Sequence, residues 1–238
     1  MSLVLIKKQD ESLAKTSARF LEDKLQKSKN FILLCSGGSS LKIFDEFNPD
    51  NMDWKGGTIT VLDERYTDKV DSINSCGLIE NGSIKKALSL GAKFFEVNDG
   101  DLSVSIEEKT KKFDDFLTGW IEKNPDGAIY ATVGMGSDGH IAGIFPDNSS
   151  EDFEITYKTG DFVVSHSKGV GEFAKRITIT PRFIEKIDDI ILYVGGADKC
   201  EILTAGLKKD SVTSQLPVSL LVKGKNLVHL ATDCIIKI

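Results

Sequence analysis

Short apolar runs rich in β-branched residues alternate along this chain with longer stretches whose apolar positions recur every three to four residues. Residues 3–6, 31–35, 58–62, 128–133, 162–165, 176–180, 190–194 and 227–231 read as strands. Residues 12–26 place Leu13, Ser17, Phe20, Leu21 and Leu25 near one helical face. Residues 103–123 do so more strongly, with Phe113, Phe116, Leu117, Trp120 and Ile121 forming one stripe. That aromatic stripe reads as core rather than as a ligand box. A third helix is expected over residues 197–208, after Gly195-Gly196. Strand–helix alternation predicts an α/β fold: three layers, Rossmann-like, with a mostly parallel central sheet flanked by helices. No linker, repeat or shift in composition divides the chain, so residues 1–238 are expected to form one domain.

In such folds ligands bind beyond the carboxyl ends of the strands, and the chemically loaded segments fall there. Ser36-Gly37-Gly38-Ser39-Ser40 follows the strand at 31–35 and precedes a helical pattern. Glycines and hydroxyls in that setting make a phosphate cradle or a tight, serine-capped turn. Asp63-Glu64-Arg65 follows the strand at 58–62, and taken alone reads as a solvated loop with a local Asp–Arg pair. Asn74 lies shortly after and reads as a helix cap. The segment at 134–146 follows the strand at 128–133, and glycines surround Asp138 and His140 in it. An imidazole there suits proton transfer near neutral pH, with Asp138 to orient it. No GxSxG elbow accompanies the pair, which favours activation of water over a covalent intermediate. Arg176, alone on a strand, reads as a surface ion-pair partner. Lys199 in a first helical turn opposes the helix dipole, a mild cost that suggests a nearby anion.

Composition narrows the field. The chain has 238 residues, 40% hydrophobic and 28% charged, with a net charge of −6. That balance disfavours nucleic acid and anionic membrane as partners. The apolar run at the N-terminus, before Lys7-Lys8, is too short for a signal peptide, and no stretch reaches the length of a membrane span. Cys35, Cys76, Cys200 and Cys234 are scattered without a CxxC pair and are expected to be reduced thiols. A cytoplasmic protein is the expectation. Three dispersed histidines offer no metal-ligand spacing, and His166 and His229 read as structural.

Together the segments resemble the 6-phosphogluconolactonase and glucosamine-6-phosphate deaminase superfamily. The resemblance runs in order through Ser36-Gly37-Gly38-Ser39, Asp63-Glu64-Arg65, Asn74, residues 134–146, Arg176-Ile177-Thr178-Ile179-Thr180 and residues 196–199. Lactonases read GMGxDGHTASLFP where this chain reads GMGSDGHIAGIFP. Deaminases read GHIAFNEP and use the glutamate before that proline; Phe145 stands there in this chain and cannot transfer a proton. The Asp-Glu-Arg triplet is also lactonase-like. Ile141 and Gly143 depart from the lactonase pattern, Ile141 toward the deaminases.

The resemblance implies hydrolysis of 6-phospho-D-glucono-1,5-lactone without metal or organic cofactor. It places His140, Asp138 and Asp63 in the catalytic set. Gly37, Gly38, Ser39, Ser40, Arg65, Asn74, Arg176 and Lys199 fall in the substrate-binding set, so the bland readings of both isolated cations are reversed. The oxyanion's donors would be loop amides around Gly37 or Gly139. A sugar-phosphate lactone is the expected partner, bound by a monomer or small homo-oligomer. The alternatives are an amino-sugar-phosphate deaminase or isomerase, and a non-catalytic sugar-phosphate sensor.

Overall fold

The structure, a computed structural model, describes residues 2–6, 11–208, 210–224 and 226–236. Met1, Lys7 and Lys8 of the N-terminal run lie outside them. Seven strands build a parallel sheet in the order β1-β10-β9-β6-β2-β3-β5. They are β1 Ser2–Leu5, β2 Phe31–Cys35, β3 Gly57–Val61, β5 Lys93–Phe94, β6 Ala128–Gly134, β9 Asp189–Val194 and β10 Leu227–Thr232. The central strands are buried along their length, β2 at every residue, because helices cover both faces of a parallel sheet. The helices are α1 Leu13–Gln26, α2 Lys42–Asp45, α3 Asn74–Glu80, α4 Gly82–Ser89, α5 Ile106–Lys123, α6 Ser150–Tyr157, α7 Pro181–Ile184, α8 Cys200–Gly206 and α9 Ser219–Lys223. The α/β architecture is the one the alternating pattern predicts.

Local chemistry sets the long helices. Ser12 caps α1 by accepting from Lys15 N. Ser105 and Glu108 form a reciprocal capping box on α5, so the helix begins inside the 103–123 stretch. Phe113, Leu117 and Trp120 of the stripe are buried. The stretch 197–208 divides into a 3-10 turn, Ala197–Lys199, and α8.

The pattern did not predict the second sheet. Strands β4 Asp63–Arg65, β8 Arg176–Ile179 and β7 Val163–His166 pair antiparallel in the order β4-β8-β7. Leu62 joins the two sheets. Its N–H donates to Cys35 O at the end of β2, and its carbonyl accepts from Ile179 N, each at 3.0 Å. The small sheet therefore stands at the carboxyl end of β2. Asp63-Glu64-Arg65 is thus a strand and not a solvated loop: Asp63 and Glu64 are buried. Three residues of charged side chains give no period-2 apolar signal, which is why the strand is invisible to patterning.

The cysteines also correct the expectation. Cys200 and Cys234 are joined in a disulfide across 34 residues of sequence, while Cys35 and Cys76 are free. Neither position carries a spacing signal. The start of α8 and the segment after β10 meet only because β9 and β10 are adjacent parallel strands.

Candidate active site

From β2 the sheet grows through β3 to β5 on one side and through β6 to β9 and β10 on the other. The crevice between the ends of β2 and β6 is thus a topological switch point, the usual ligand position in such sheets. A cleft of about 200 Å³ opens there. The glycine loop after β2, the glycine loop after β6, the small sheet and the turn before α8 each contribute wall.

His140 lines the cleft, with its side chain one-third exposed. Its Nδ1 lies 2.5 Å from Asp138 Oδ1, and that same oxygen accepts from the His140 backbone N–H at 3.1 Å. The contact fixes the ring and leaves Nε2 as the free nitrogen. Burial alone would push the Asp138 carboxyl up, but its bonds from His140 outweigh this and hold it below the ordinary carboxylate range. Asp138 itself does not line the cleft; it stands behind His140. The loop can close this tightly because Gly136 is a glycine. A Cβ there would overlap the His140 ring and sit 2.7 Å from Asp138 Oδ1. Gly139 adopts a φ of +85° and packs toward Ile202 and Leu216, so of the two glycines named as sources of oxyanion donors only Gly37 lines the cleft. Ala142, also in the wall, has a φ of +50°, a region costly for a residue with a Cβ.

The cations converge from separate elements. Arg65 of β4 and Arg176 of β8 occupy directly paired positions, an arrangement that repels unless something negative lies between the side chains. Both line the cleft, as does Lys199, whose Nζ donates to Met135 O at 2.6 Å. Arg65 Nη1 donates to Ser72 O at 2.7 Å, and its guanidinium stacks over Phe173. Arg65 Nε and Arg176 Nε and Nη1 are buried without a hydrogen-bond partner among the described residues. Burial pulls the Arg176 guanidinium below its ordinary range, with Asp63 opposing the effect. Asp63 is the one carboxylate in the wall. Its carboxyl is raised by burial, against the pull of Arg176, His140 and Arg65. Three cations facing one carboxylate make the cleft positive in a chain of net charge −6.

The remaining predicted residues divide. Gly37, Gly38, Ser39 and Asn74 line the cleft. Ser40 does not: it is fully buried, and its hydroxyl donates to Ser36 O and Gly37 O, bracing the loop from behind. Patterning missed two supports, Glu64 and Tyr157, while His166 has the structural role expected of it. Glu64 binds the start of α3. Tyr157 and His166 hold the segment around Gly143, with His166 Nε2 at 2.7 Å from Gly143 O and Tyr157 Oη accepting from Phe145 N at 3.0 Å. Phe145 packs on His140, 4.7 Å between ring centroids, and lies beneath the Arg176 guanidinium. His229, read as structural, sits in β10 with Nε2 2.7 Å from Asp189 Oδ1, a contact separate from the cleft.

The described residues contain one compact group of potential metal ligands, Cys200, Asp233 and Cys234, and its two sulfurs are bonded to each other.

The family model for glucosamine-6-phosphate isomerases/6-phosphogluconolactonase matches residues 7–230. The chain belongs to this family. Among curated relatives, the chain is 25% identical over 225 residues to a 6-phosphogluconolactonase of Neisseria meningitidis, covering 94% of this chain and 91% of that one. A solved 6-phosphogluconolactonase of Shewanella baltica superposes with a TM-score of 0.73 at 22% identity, covering 98% of this chain and 97% of that one. A monomeric glucosamine-6-phosphate deaminase superposes almost as well, with a TM-score of 0.71 at 16% identity and 98% coverage of both chains. The fold is thus common to both branches of the family, and the choice between them falls to the side chains in the cleft. No helix among the described residues is long and apolar enough to cross a membrane.

Proposed function

We propose that this chain hydrolyses 6-phospho-D-glucono-1,5-lactone to 6-phosphogluconate, the lactone-opening step of the oxidative pentose phosphate pathway. The observation that carries the reading is Phe145. It packs against His140 at the position where a deaminase needs a proton-transferring glutamate, leaving one His–Asp pair and room for water. The substrate's 6-phosphate is held by Arg176, Arg65 and Lys199 together with the Gly37, Gly38 and Ser39 loop. The guanidinium groups of Arg65 and Arg176 in the cleft wall supply the charge-assisted bonds that bind a dianion well. Anchorage at that end fixes the lactone ring against the histidine and lowers the entropic cost of attack.

His140 Nε2 takes a proton from water as the water oxygen bonds to C1. The imidazolium, held by Asp138, returns that proton to the ring oxygen as the C1–O bond breaks. The products are the 6-phosphogluconate carboxylate and its freed hydroxyl, with a proton released to solvent. Asp63 balances part of the arginines' charge.

Residues 1–238 act in this reading as one catalytic domain, without a cofactor, as a monomer or small homo-oligomer. We place the reaction in the cytoplasm. The Cys200–Cys234 bond, uncommon there, makes the thiol count of protein taken from cells the check on that placement.

The test is a coupled assay on freshly generated lactone, corrected for spontaneous opening. His140→Ala lowers kcat on the order of 100-fold or more, the scale of general acid–base catalysis, with KM little changed. Arg176→Ala chiefly raises KM. Ammonia release from glucosamine 6-phosphate, with no lactone turnover, sinks the proposal in favour of the deaminase branch.

A further inference from the structure

Strand alternation sends Asp63 and Arg65 of β4 to the cleft and Glu64 to the opposite side. Glu64 is fully buried there, where an unpaired charge would be prohibitive. It is fully partnered instead. Oε1 accepts from Arg65 N at 2.8 Å and from Asn74 N at 2.7 Å. Oε2 accepts from Ser75 N at 2.8 Å and Ser75 Oγ at 2.7 Å. These four donors occupy the lone-pair directions of both oxygens.

Each bonded segment carries a group in the cleft wall. The Arg65 backbone sets the root of its guanidinium, which Ser72 O holds at the far end. The Asn74 backbone sets a side chain whose Nδ2 donates to Asp63 O at 2.9 Å. That side chain also packs against Gly37 so closely that a Cβ on Gly37 would overlap Asn74 Oδ1. One buried carboxylate is therefore tied to the arginine strand, to α3 and, through Asn74, to the glycine loop after β2.

We propose that Glu64 is a positioning residue of this site, holding Arg65 and Asn74 in register with the Gly37 loop so that the three form one anion-binding wall. The proposal rests on reading the cleft as a sugar-phosphate site. Glu64 touches no substrate, and the His140–Asp138 pair belongs to a different loop. Its loss therefore falls on binding rather than on the proton-transfer step.

Glu64→Gln keeps the shape but replaces one acceptor oxygen with an N–H₂ donor. In the Oε1 place the amide nitrogen meets the N–H groups of Arg65 and Asn74; in the Oε2 place it meets the Ser75 N–H, while the Ser75 hydroxyl can turn to accept. Hydrogen bonds to charged groups are worth enough that KM should rise about tenfold or more, with kcat within about threefold of wild type. Calorimetric affinity for 6-phosphogluconate should weaken by the same factor as KM. Ser75→Ala removes a single bond from Oε2 and should raise KM about two- to threefold, and it decides the matter if Glu64→Gln does not fold. Unchanged KM and product affinity in a folded Glu64→Gln protein, or a loss confined to kcat, overturns the proposal. So does an unchanged KM in Ser75→Ala when Glu64→Gln is unavailable. A wild type that binds 6-phosphogluconate without opening the lactone overturns the lactonase reading alone, and the calorimetric arm then still reads Glu64. A wild type that neither binds nor turns over overturns both.

Discussion

His166 should make the stability of this protein depend on pH in a way that one substitution removes. Its ring is held neutral between a donor and an acceptor. Nδ1 accepts from Lys168 N at 3.0 Å, and Nε2 donates to Gly143 O at 2.7 Å. Burial pulls its pKa down from 6.5 to about 4, and nearby Arg176 and Lys168 add to this against the opposing bond to Gly143. The unfolded imidazole thus binds a proton at a pH where the folded one does not. The stability linked to the neutral ring is fully present above pH 6.5 and is lost as the pH falls toward 4. The gap between those two affinities corresponds to about 3 kcal/mol. His166→Gln keeps a donor for Gly143 O and does not titrate. Urea unfolding of both proteins between pH 7.5 and 4 should show wild type losing about 3 kcal/mol more than the variant. Parallel curves would refute the reasoning. Because the folded ring stays neutral down to about pH 4, His166 should affect stability over this range without changing substrate affinity.

Three further outcomes follow from the geometry. Asp138→Asn should lower kcat on the order of 100-fold with KM preserved, since the amide no longer stabilises the imidazolium; steady-state kinetics that show KM moving instead would detach Asp138 from His140. Gly136→Ala should cost kcat comparably, because the added methyl overlaps the His140 ring, and a variant at full turnover would mean the loop is not held as described. Reduction of Cys200–Cys234 releases a constraint across 34 residues, worth about 4 kcal/mol by loop-closure entropy. For a chain of this size, that corresponds to about a 10 °C fall in Tm. Melting with and without a dithiol, with thiol titration of the denatured protein, checks both the shift and the presence of two free thiols before reduction.

What could be read from the sequence follows a physical divide. The central strands are legible because burial on both faces demands unbroken apolar runs, and α1 and α5 because a half-buried helix must repeat its apolar positions. The loops after β2 and β6 are legible as glycine-rich strand ends. Strand β4 is not, because its residues are chosen for the cleft and for Glu64's partners, and neither requirement leaves a period. Ser40 misled for a related reason: a hydroxyl beside two glycines suits both a ligand and the carbonyls of its own loop, and the loop claims it. The disulfide depends on two strands lying side by side, which no local pattern encodes. The isolated cations were ambiguous because strand register alone brings Arg65 opposite Arg176.

That register also explains how an acidic protein builds a positively charged cleft. Like charges at paired positions of an antiparallel ladder destabilise it, and here a third residue, His166, continues the row on β7. The row is tolerable in the folded chain for two reasons. His166 is held neutral by its burial, and Asp63, on the same strand as Arg65, sets one carboxylate against both guanidinium groups. That compensation is incomplete, since three guanidinium nitrogens remain without partners among the described residues. The residual positive charge lies in the cleft at the switch point of the sheet. It follows that Asp63→Asn should tighten binding of 6-phosphogluconate by removing the competing charge. If the variant binds the product more weakly, Asp63 contributes to the site by holding the arginines in place rather than by balancing their charge.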